Sequence, residues 1–155
     1  MEILKETNIL PELKGKKKED VINELIAYLY QQKLIPDERE ALRVVFEREK
    51  LGSTGIGDGV AIPHGKLSDI ERLICVLGIS KEGIDFEAVD GKPVHLIFLI
   101  LAPAHKLSLH LEALSKISKI LKNGILVKKI IKTTDAKKIY QLIKEEEYGI
   151  KNERE

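Results

Sequence analysis

The histidine at position 64 is the residue of this chain best placed to act as a nucleophile. It follows the short apolar segment 60–63 and is followed at once by Gly65. Imidazole titrates at about pH 6.5, so at neutral pH much of an exposed histidine is uncharged and one ring nitrogen carries a free lone pair. That lone pair can attack phosphorus, and a phosphorylated imidazole passes its phosphoryl group on readily. The segment therefore indicates phosphoryl transfer as chemistry that His64 could perform.

The residues around His64 include the donors that a phosphoryl group needs. Arg48 offers a planar set of N–H groups suited to phosphate oxygens, and Ser53 and Thr54 add hydroxyl groups. Glycines at positions 52, 55, 57 and 59 allow main-chain N–H groups to turn toward an anion. Gly65 removes a side chain from the space that an incoming partner must enter. We therefore expect Arg48 to take part in the reaction. We expect Ser53, Thr54 and Gly65 to bind the phosphoryl group.

Composition alone leaves a plainer interpretation open, in which residues 52–65 form a surface loop and His64 has no special role. A nucleotide-binding P-loop is disfavoured because no Gly-Lys-Ser/Thr follows the glycines. The segment also lacks the form of a dinucleotide fingerprint that opens a helix.

Two further histidines lie in or near a predicted helix. His110 follows Leu107 by three residues and precedes Leu114 by four, which places it at the edge of an apolar stripe and directs it toward the sheet. The alternative for His110 is a core histidine that hydrogen-bonds to a backbone carbonyl. His105 lies five residues before it, a poor spacing for two metal ligands on one helical face, and no cysteine accompanies the pair. We expect no metal and no cofactor, and we expect His95 to be structural.

The composition limits the class of protein. The chain has 155 residues and 43% hydrophobic content, which suits one domain with a core at about 16–143 and a charged tail, 144–155, that frays. Twenty-six Lys and Arg residues against 25 Asp and Glu residues give a net charge of +1, which argues against a dedicated nucleic-acid binder. The single cysteine, Cys75, excludes an internal disulfide, and it lies in an apolar run that predicts burial. Without an apolar run of about 18 residues or a secretory signal, we expect a cytoplasmic protein.

The apolar pattern predicts two helices ahead of the histidine segment. The first follows Lys16–Lys18, which we expect to be a solvated helix entry, and the second follows the break at residues 35–37 and ends near Arg48. The inward positions of the first helix are Val21, Ile22, Leu25, Ile26 and Leu29, and those of the second are Ala41, Leu42, Val45 and Phe46.

The strands and the remaining helices follow. Residues 60–62, 73–79 and 94–101 read as strands, with a further short strand possible around 84–86. A helical stripe formed by Leu107, Leu111, Leu114, Ile117 and Leu121 should stop at Asn123-Gly124, a favourable C-terminal cap pair. Residues 125–131 fit either a short helix or an edge segment, and Asp135 can cap a last helix. This order suggests a sheet covered by helices on both faces.

The histidine segment resembles the phosphohistidine motif of type 2 enzyme IIA proteins of the bacterial sugar phosphotransferase system, the fructose, mannitol and nitrogen-regulatory branch. In that motif an acidic or amide residue is followed, after six variable positions, by an apolar and a small residue, and the motif closes on apolar-Ala-apolar-Pro-His-small. Here these positions are Glu49, Ile56-Gly57 and Val60–Gly65. Around them, Arg48 matches the active-site arginine of the family, Ser53-Thr54 its hydroxyl pair, and His110-Leu111 its second active-site histidine.

The resemblance implies an α/β fold in which a mixed β-sheet lies between helical layers, a three-layer α/β/α single domain. It implies that the histidine-containing phosphocarrier protein phosphorylates His64, that the group passes to an enzyme IIB partner, that His110 steadies the group or the ring, and that Arg48 holds its oxygens. Membrane IIC would be reached only through these partners. The expected role is fructose- or mannitol-type uptake; the alternative is a nitrogen-branch regulator whose phosphorylation state controls binding to target proteins.

Overall fold

The computed structural model describes residues 4–153. Within that range a sheet of six strands is flanked by five α-helices, and one 3-10 turn precedes the first strand at Glu6–Asn8. The strands are β1 Ile9–Leu10, β2 Gly55–Gly57, β3 Val60–Ala61, β4 His64–Leu67, β5 Ile74–Ile84 and β6 Val94–Pro103. The helices are α1 Lys18–Gln31, α2 Glu38–Lys50, α3 Leu107–Leu121, α4 Gly124–Ile131 and α5 Ala136–Glu153.

The sheet is mixed, and β6 is its central strand, which pairs with β3, β4 and β5. Strand β5 pairs with β6 antiparallel, β3 and β4 both pair with β6 parallel, β1 runs parallel to β5, and β2 runs antiparallel to β3. Because side chains alternate along β6, Leu96, Phe98 and Ile100 join the core under α3, α4 and α5, while Ile97, Leu99 and Leu101 join the core under α1 and α2. The expected α/β fold with a mixed sheet between helical layers is confirmed.

The structure decides one local alternative and corrects other local expectations. Residues 125–131, which fitted either a helix or an edge segment, form α4. The Asn123 side chain accepts hydrogen bonds from the N–H groups of Ile125 and Leu126, so it caps the start of α4, although α3 does stop close by, at Leu121. Strand β5 extends to Ile84, and Asp85 and Phe86 lie outside it.

The buried face of α3 also differs from the predicted stripe. Leu107 and Leu111 are exposed, whereas the buried residues of the helix are His110, Ala113, Ile117, Ile120 and Leu121. Relative to the predicted stripe, the first half of α3 is rotated about its axis. His110 faces the sheet, and the neighbouring leucines do not.

The C-terminal segment is helical as far as the structure describes it. We expected residues 144–155 to fray; in the described part of this range α5 runs to Glu153, and Ile150 packs against the core formed by α3, α4 and the sheet, whereas residues 154 and 155 lie outside the described residues. Asp135 caps this helix as predicted, because its carboxylate accepts from the N–H of Lys137 at 3.0 Å.

Candidate active site

His64 is the first residue of β4, where the chain returns to the sheet after Pro63. It pairs with Ile100 of β6, and the N–H of Ile100 donates to the Pro63 carbonyl at 3.0 Å. The Nδ1 atom of His64 lies 2.8 Å from the carbonyl oxygen of Ile62. Since a carbonyl can only accept, Nδ1 carries the proton, and the lone pair of the neutral ring is on Nε2. The half-buried ring is thus fixed in one tautomer.

Alternation along β4 decides what faces His64. Leu67 lies in the core under α1 and α2, and a Cβ atom on Gly65 would lie 2.6 Å from the Val44 side chain of α2. The intervening positions, His64 and Lys66, therefore face the opposite layer, which contains α3.

His110, in the first turn of α3, meets His64 on that face. The ring centroids are 5.3 Å apart, and the ring planes are tilted by 56°. His110 is buried, and its Nδ1 atom has no hydrogen-bond partner among the described residues. A core histidine held by a backbone carbonyl would bond through one of its ring nitrogens, and the orphaned Nδ1 does not support that alternative. The pair of histidines predicted from the sequence is brought together.

The surroundings of both histidines favour the uncharged ring. Burial is the main cause that lowers the pKa of His64; the hydrogen bond to Ile62 opposes it, and the positive charges of Arg48 and Lys66 reinforce it. Burial also lowers the pKa of His110, and the charge that His64 would carry if protonated and the positive charge of Lys66 lower it further. A neutral imidazole is the nucleophilic form, so the site keeps Nε2 of His64 available at neutral pH.

The acidic residue of the motif, Glu49, is a buried anchor for the loop that leads to His64. Its carboxylate accepts from the N–H of Thr54, at 3.2 Å to Oε1, and from the Thr54 hydroxyl. Lys18 of α1 supplies the opposite charge, with Nζ 2.6 Å from Oε2 of Glu49 and 4.9 Å from the Phe86 ring centroid. Lys18 was expected to be solvated, but only 12% of its side chain is exposed, because α1 and α2 close over this ion pair. Sequence reasoning missed this contact.

The two hydroxyl residues are engaged within the loop. Thr54 is buried against Glu49, and the Ser53 hydroxyl donates to the Phe86 carbonyl at 2.5 Å while it accepts from the N–H of Gly55. Their contact with a phosphoryl group stays a prediction, and it would require these hydrogen bonds to exchange. In the present geometry both hydroxyls hold the shape of residues 53–55.

The glycines and Arg48 have identifiable partners as well. Arg48 donates through Nη1 to the Gly52 carbonyl at 2.8 Å, which ties the guanidinium to the start of the loop. The other N–H groups of the guanidinium remain as donors for a ligand. Gly57 and Gly59 have φ angles of +97° and +82° and form the tight turn between β2 and β3. We expected Gly65 to leave room for a partner, but that space is occupied by Val44, so glycine is required there for the contact between β4 and α2.

Two features of the described residues concern membrane spans and metal sites. No helix within residues 4–153 has both the length and the apolar character needed to cross a membrane. In the same range, His, Cys, Asp and Glu side chains do not gather in a group of three or more that could hold a metal ion. Cys75 is buried as expected, and burial raises the pKa of its thiol.

Sequence comparison relates this chain to known proteins. A profile of the family described as "Phosphoenolpyruvate-dependent sugar phosphotransferase system, EIIA 2" matches residues 2–146. A nitrogen regulatory protein of Bradyrhizobium diazoefficiens is 41% identical over 135 residues, which cover 87% of this chain and 88% of that protein. The fructose-specific EIIABC component of Bacillus subtilis is 34% identical over 142 residues, 92% of this chain but only 22% of that longer protein.

The fold has similar relatives among solved structures. The crystal structure of nitrogen regulatory protein IIA-Ntr from Neisseria meningitidis superposes with a TM-score of 0.84 at 30% identity. The superposition covers 91% of this chain and 96% of that one, so the layers and the sheet are shared over nearly the whole length.

Proposed function

The chain belongs to the EIIA type 2 family of the phosphoenolpyruvate-dependent sugar phosphotransferase system, and on that premise we propose that it carries a phosphoryl group on Nε2 of His64. The observation that carries the proposal is the 2.8 Å contact between His64 Nδ1 and the Ile62 carbonyl, which directs the lone pair of the ring to Nε2.

The first step is acceptance of the group from the histidine-containing phosphocarrier protein. The lone pair on Nε2 forms a bond to phosphorus while the bond from phosphorus to the donor imidazole breaks, and the donor ring leaves with that electron pair. Positive charge develops on the His64 ring as the new bond forms. The Ile62 carbonyl accepts from Nδ1–H and stabilises that charge, so no proton has to leave during the transfer.

The surrounding residues hold the group. Arg48 presents its remaining N–H groups to the phosphoryl oxygens, and neutral His110, at 5.3 Å between ring centroids, steadies the group or the ring of His64. Ser53 and Thr54 support the loop through Phe86 and Glu49, and their hydroxyls reach oxygens only if those bonds exchange. The transfer uses donors that the chain already provides, so the proposal includes no metal or cofactor.

The second step is release to an enzyme IIB partner. The name of the Bacillus subtilis relative joins EIIA to B and C components in one protein, which supports a IIB acceptor. In the proposal, this chain reaches the membrane through partners only. Leu107 and Leu111, which flank His110 on α3, are exposed and supply apolar surface for such transient contacts. Nucleic acid has no part in the proposal.

Two downstream roles share this chemistry. In the first, the phosphoryl group serves uptake of a fructose- or mannitol-type sugar. In the second, the phosphorylation state of His64 controls binding to target proteins of the nitrogen branch. The second role is favoured by the Bradyrhizobium diazoefficiens protein, because its identity to this chain is the higher of the two relatives described and the match spans most of its length.

The test is labelling from phosphoenolpyruvate in the presence of the two general phosphotransferase proteins, followed by mapping of the modified residue. Label is expected on His64 and is expected to be lost in His64→Ala, while His105→Gln, at an exposed histidine outside the pair, should label as the wild type does. Full labelling of His64→Ala would overturn the proposal. A panel of IIB acceptors then separates the roles, since transfer to a sugar-specific IIB supports uptake and transfer to none of them supports regulation.

A further inference from the structure

We propose that the ammonium group of Lys66 binds the oxygens of the phosphoryl group on His64 and stabilises the phosphorylated state. This inference rests on the proposed carrier function and adds a residue that the motif does not include. Three features support it: the position of Lys66 on β4, the lack of a partner for its charge among the described residues, and the charge balance around the two histidines.

The register of β4 places Lys66 beside His64. Gly65 contacts Val44, and Leu67 is buried under α1 and α2, so both of these residues face away from His110. Lys66 and His64 consequently point to the face that includes α3. Two residues apart on a strand are separated by about 7 Å, a span that a flexible lysine side chain covers easily.

The ammonium group of Lys66 is available. Among residues 4–153, every other cation close to the site has a partner that the structure identifies: Lys18 pairs with Glu49, and Arg48 donates to Gly52. Lys66 is exposed and has no hydrogen bond or ion pair with any described residue. It also bears on both rings electrostatically, since its charge contributes to lowering the pKa of His64 and the pKa of His110.

The phosphorylated site needs a further cation. A phosphoryl group brings a charge of about −2. Lys18 does not balance this charge, because it is paired with the buried carboxylate of Glu49, which also accepts from Thr54. Arg48 supplies one positive charge, and neutral His110 supplies none. The N-terminal end of α3, in whose first turn His110 lies, adds partial positive charge only. Lys66 on the same face provides the second full charge.

A simpler role for this lysine is protection of a strand edge. Within residues 4–153, strand β4 is paired on one side only, with β6, and lysine on an edge strand discourages pairing with other chains. That role does not depend on whether His64 is phosphorylated, so the two interpretations predict different results for the phosphoprotein.

The experiment compares Lys66→Gln and Lys66→Arg with the wild type, with Lys138→Gln on the exposed face of α5 as a control that removes one positive charge elsewhere. The equilibrium between phosphorylated His64 and the phosphorylated phosphocarrier is measured at fixed protein ratios. Phosphorus NMR gives the pKa of the phosphoryl group in each phosphoprotein. For Lys66→Gln we expect about a fivefold shift of the equilibrium away from His64 at low salt, reduced at high salt, and a raised phosphoryl pKa.

Lys66→Arg should retain most of the wild-type equilibrium, and Lys138→Gln should match the wild type. A Lys66→Gln phosphoprotein with unchanged equilibrium and unchanged phosphoryl pKa would overturn the inference and leave the carrier function standing. Failure of the wild type to accept label from a functional phosphocarrier would overturn the carrier function, and the inference with it. Equal effects of Lys66→Gln and Lys66→Arg would likewise reject a charge contact.

Discussion

Lys18 and Glu49 form an ion pair that is almost completely removed from solvent, with 2.6 Å between Nζ and Oε2 and exposed side-chain fractions of 12% and 4%. The pair joins the start of α1 to the end of α2. Because Glu49 also accepts from the backbone N–H of Thr54, a charge on α1 fixes the loop that delivers His64. The acidic position of the motif is thereby explained as a structural anchor.

Lys18→Met should destabilise the protein by about 3 kcal/mol, because it leaves a buried carboxylate without its counter-charge. The free energy of unfolding in urea measures the effect. Lys18→Met combined with Glu49→Gln should recover part of the loss, since no buried charge then remains.

Lys16 provides the matched control for Lys18. It precedes the same helix and forms a 3.5 Å pair with Glu82, but both side chains are largely exposed, at 78% and 80%. Lys16→Met should change stability by less than about 0.5 kcal/mol. Equal effects at the two positions would contradict the assigned role of burial.

The contrast between these lysines shows what the sequence could and could not reveal. Helical periodicity was sufficient for α1 and α2, and the continuous apolar runs at residues 73–79 and 94–101 indicated the buried strands β5 and β6. The burial of Lys18 depends on how α1 lies against α2 and Phe86, which no local pattern contains. Lys66 lies two residues after His64, but the sequence of this segment predicted a strand only over residues 60–62, so the face that Lys66 occupies became known only from β4.

The region of α3 and α4 illustrates a second limit. Asn123 favours either end of a helix, and only the hydrogen bonds to Ile125 and Leu126 show that it begins α4. Likewise, counting apolar residues assigned Leu107 and Leu111 to the buried stripe. The local sequence favours burial of the leucines, whereas the structure buries the polar His110. A departure of this kind from the apolar pattern is expected where function competes with stability.

Gly65→Ala should destabilise the protein by about 1–3 kcal/mol, because its Cβ atom would lie 2.6 Å from Cγ2 of Val44 and 3.3 Å from the Val44 carbonyl carbon. Val44→Ala in the same chain should recover part of this loss by removing the nearer contact. Thermal unfolding of the four proteins in the cycle gives the coupling. Independent, additive effects would show that the strand and the helix do not meet as described.

Stability should fall as the pH drops below about 6.5, the ordinary pKa of histidine. Burial lowers the pKa of both His64 and His110 in the folded protein, so the unfolded chain binds protons at these positions more readily. The stabilisation is therefore fully present above the unfolded-state pKa and is lost as the pH falls through the lowered folded-state values.

Urea unfolding across this range, with ring titrations by NMR, tests that expectation. The double variant His64→Gln with His110→Leu should lose most of the pH dependence in this window. NMR-derived pKa values at or above the ordinary value for both rings would contradict the assignment of the neutral form.

His110→Leu should separate stability from function. The Nδ1 atom of His110 is buried without a hydrogen-bond partner among the described residues, and an unsatisfied polar atom in the interior costs about 1–3 kcal/mol. Leucine has a similar size and no such atom. The free energy of unfolding of the variant should therefore equal that of the wild type or exceed it by about 1 kcal/mol. Transfer from phosphorylated His64 to a IIB acceptor should nevertheless slow, because the ring that faces His64 at 5.3 Å is gone.

His95→Leu is the control: Nδ1 of His95 lies 2.9 Å from the Ser80 carbonyl, so removing that ring should lower stability and leave transfer unchanged. If His110→Leu instead lost stability as His95→Leu does, His110 would be a packing residue, and its place in the phosphoryl-transfer site would have to be withdrawn.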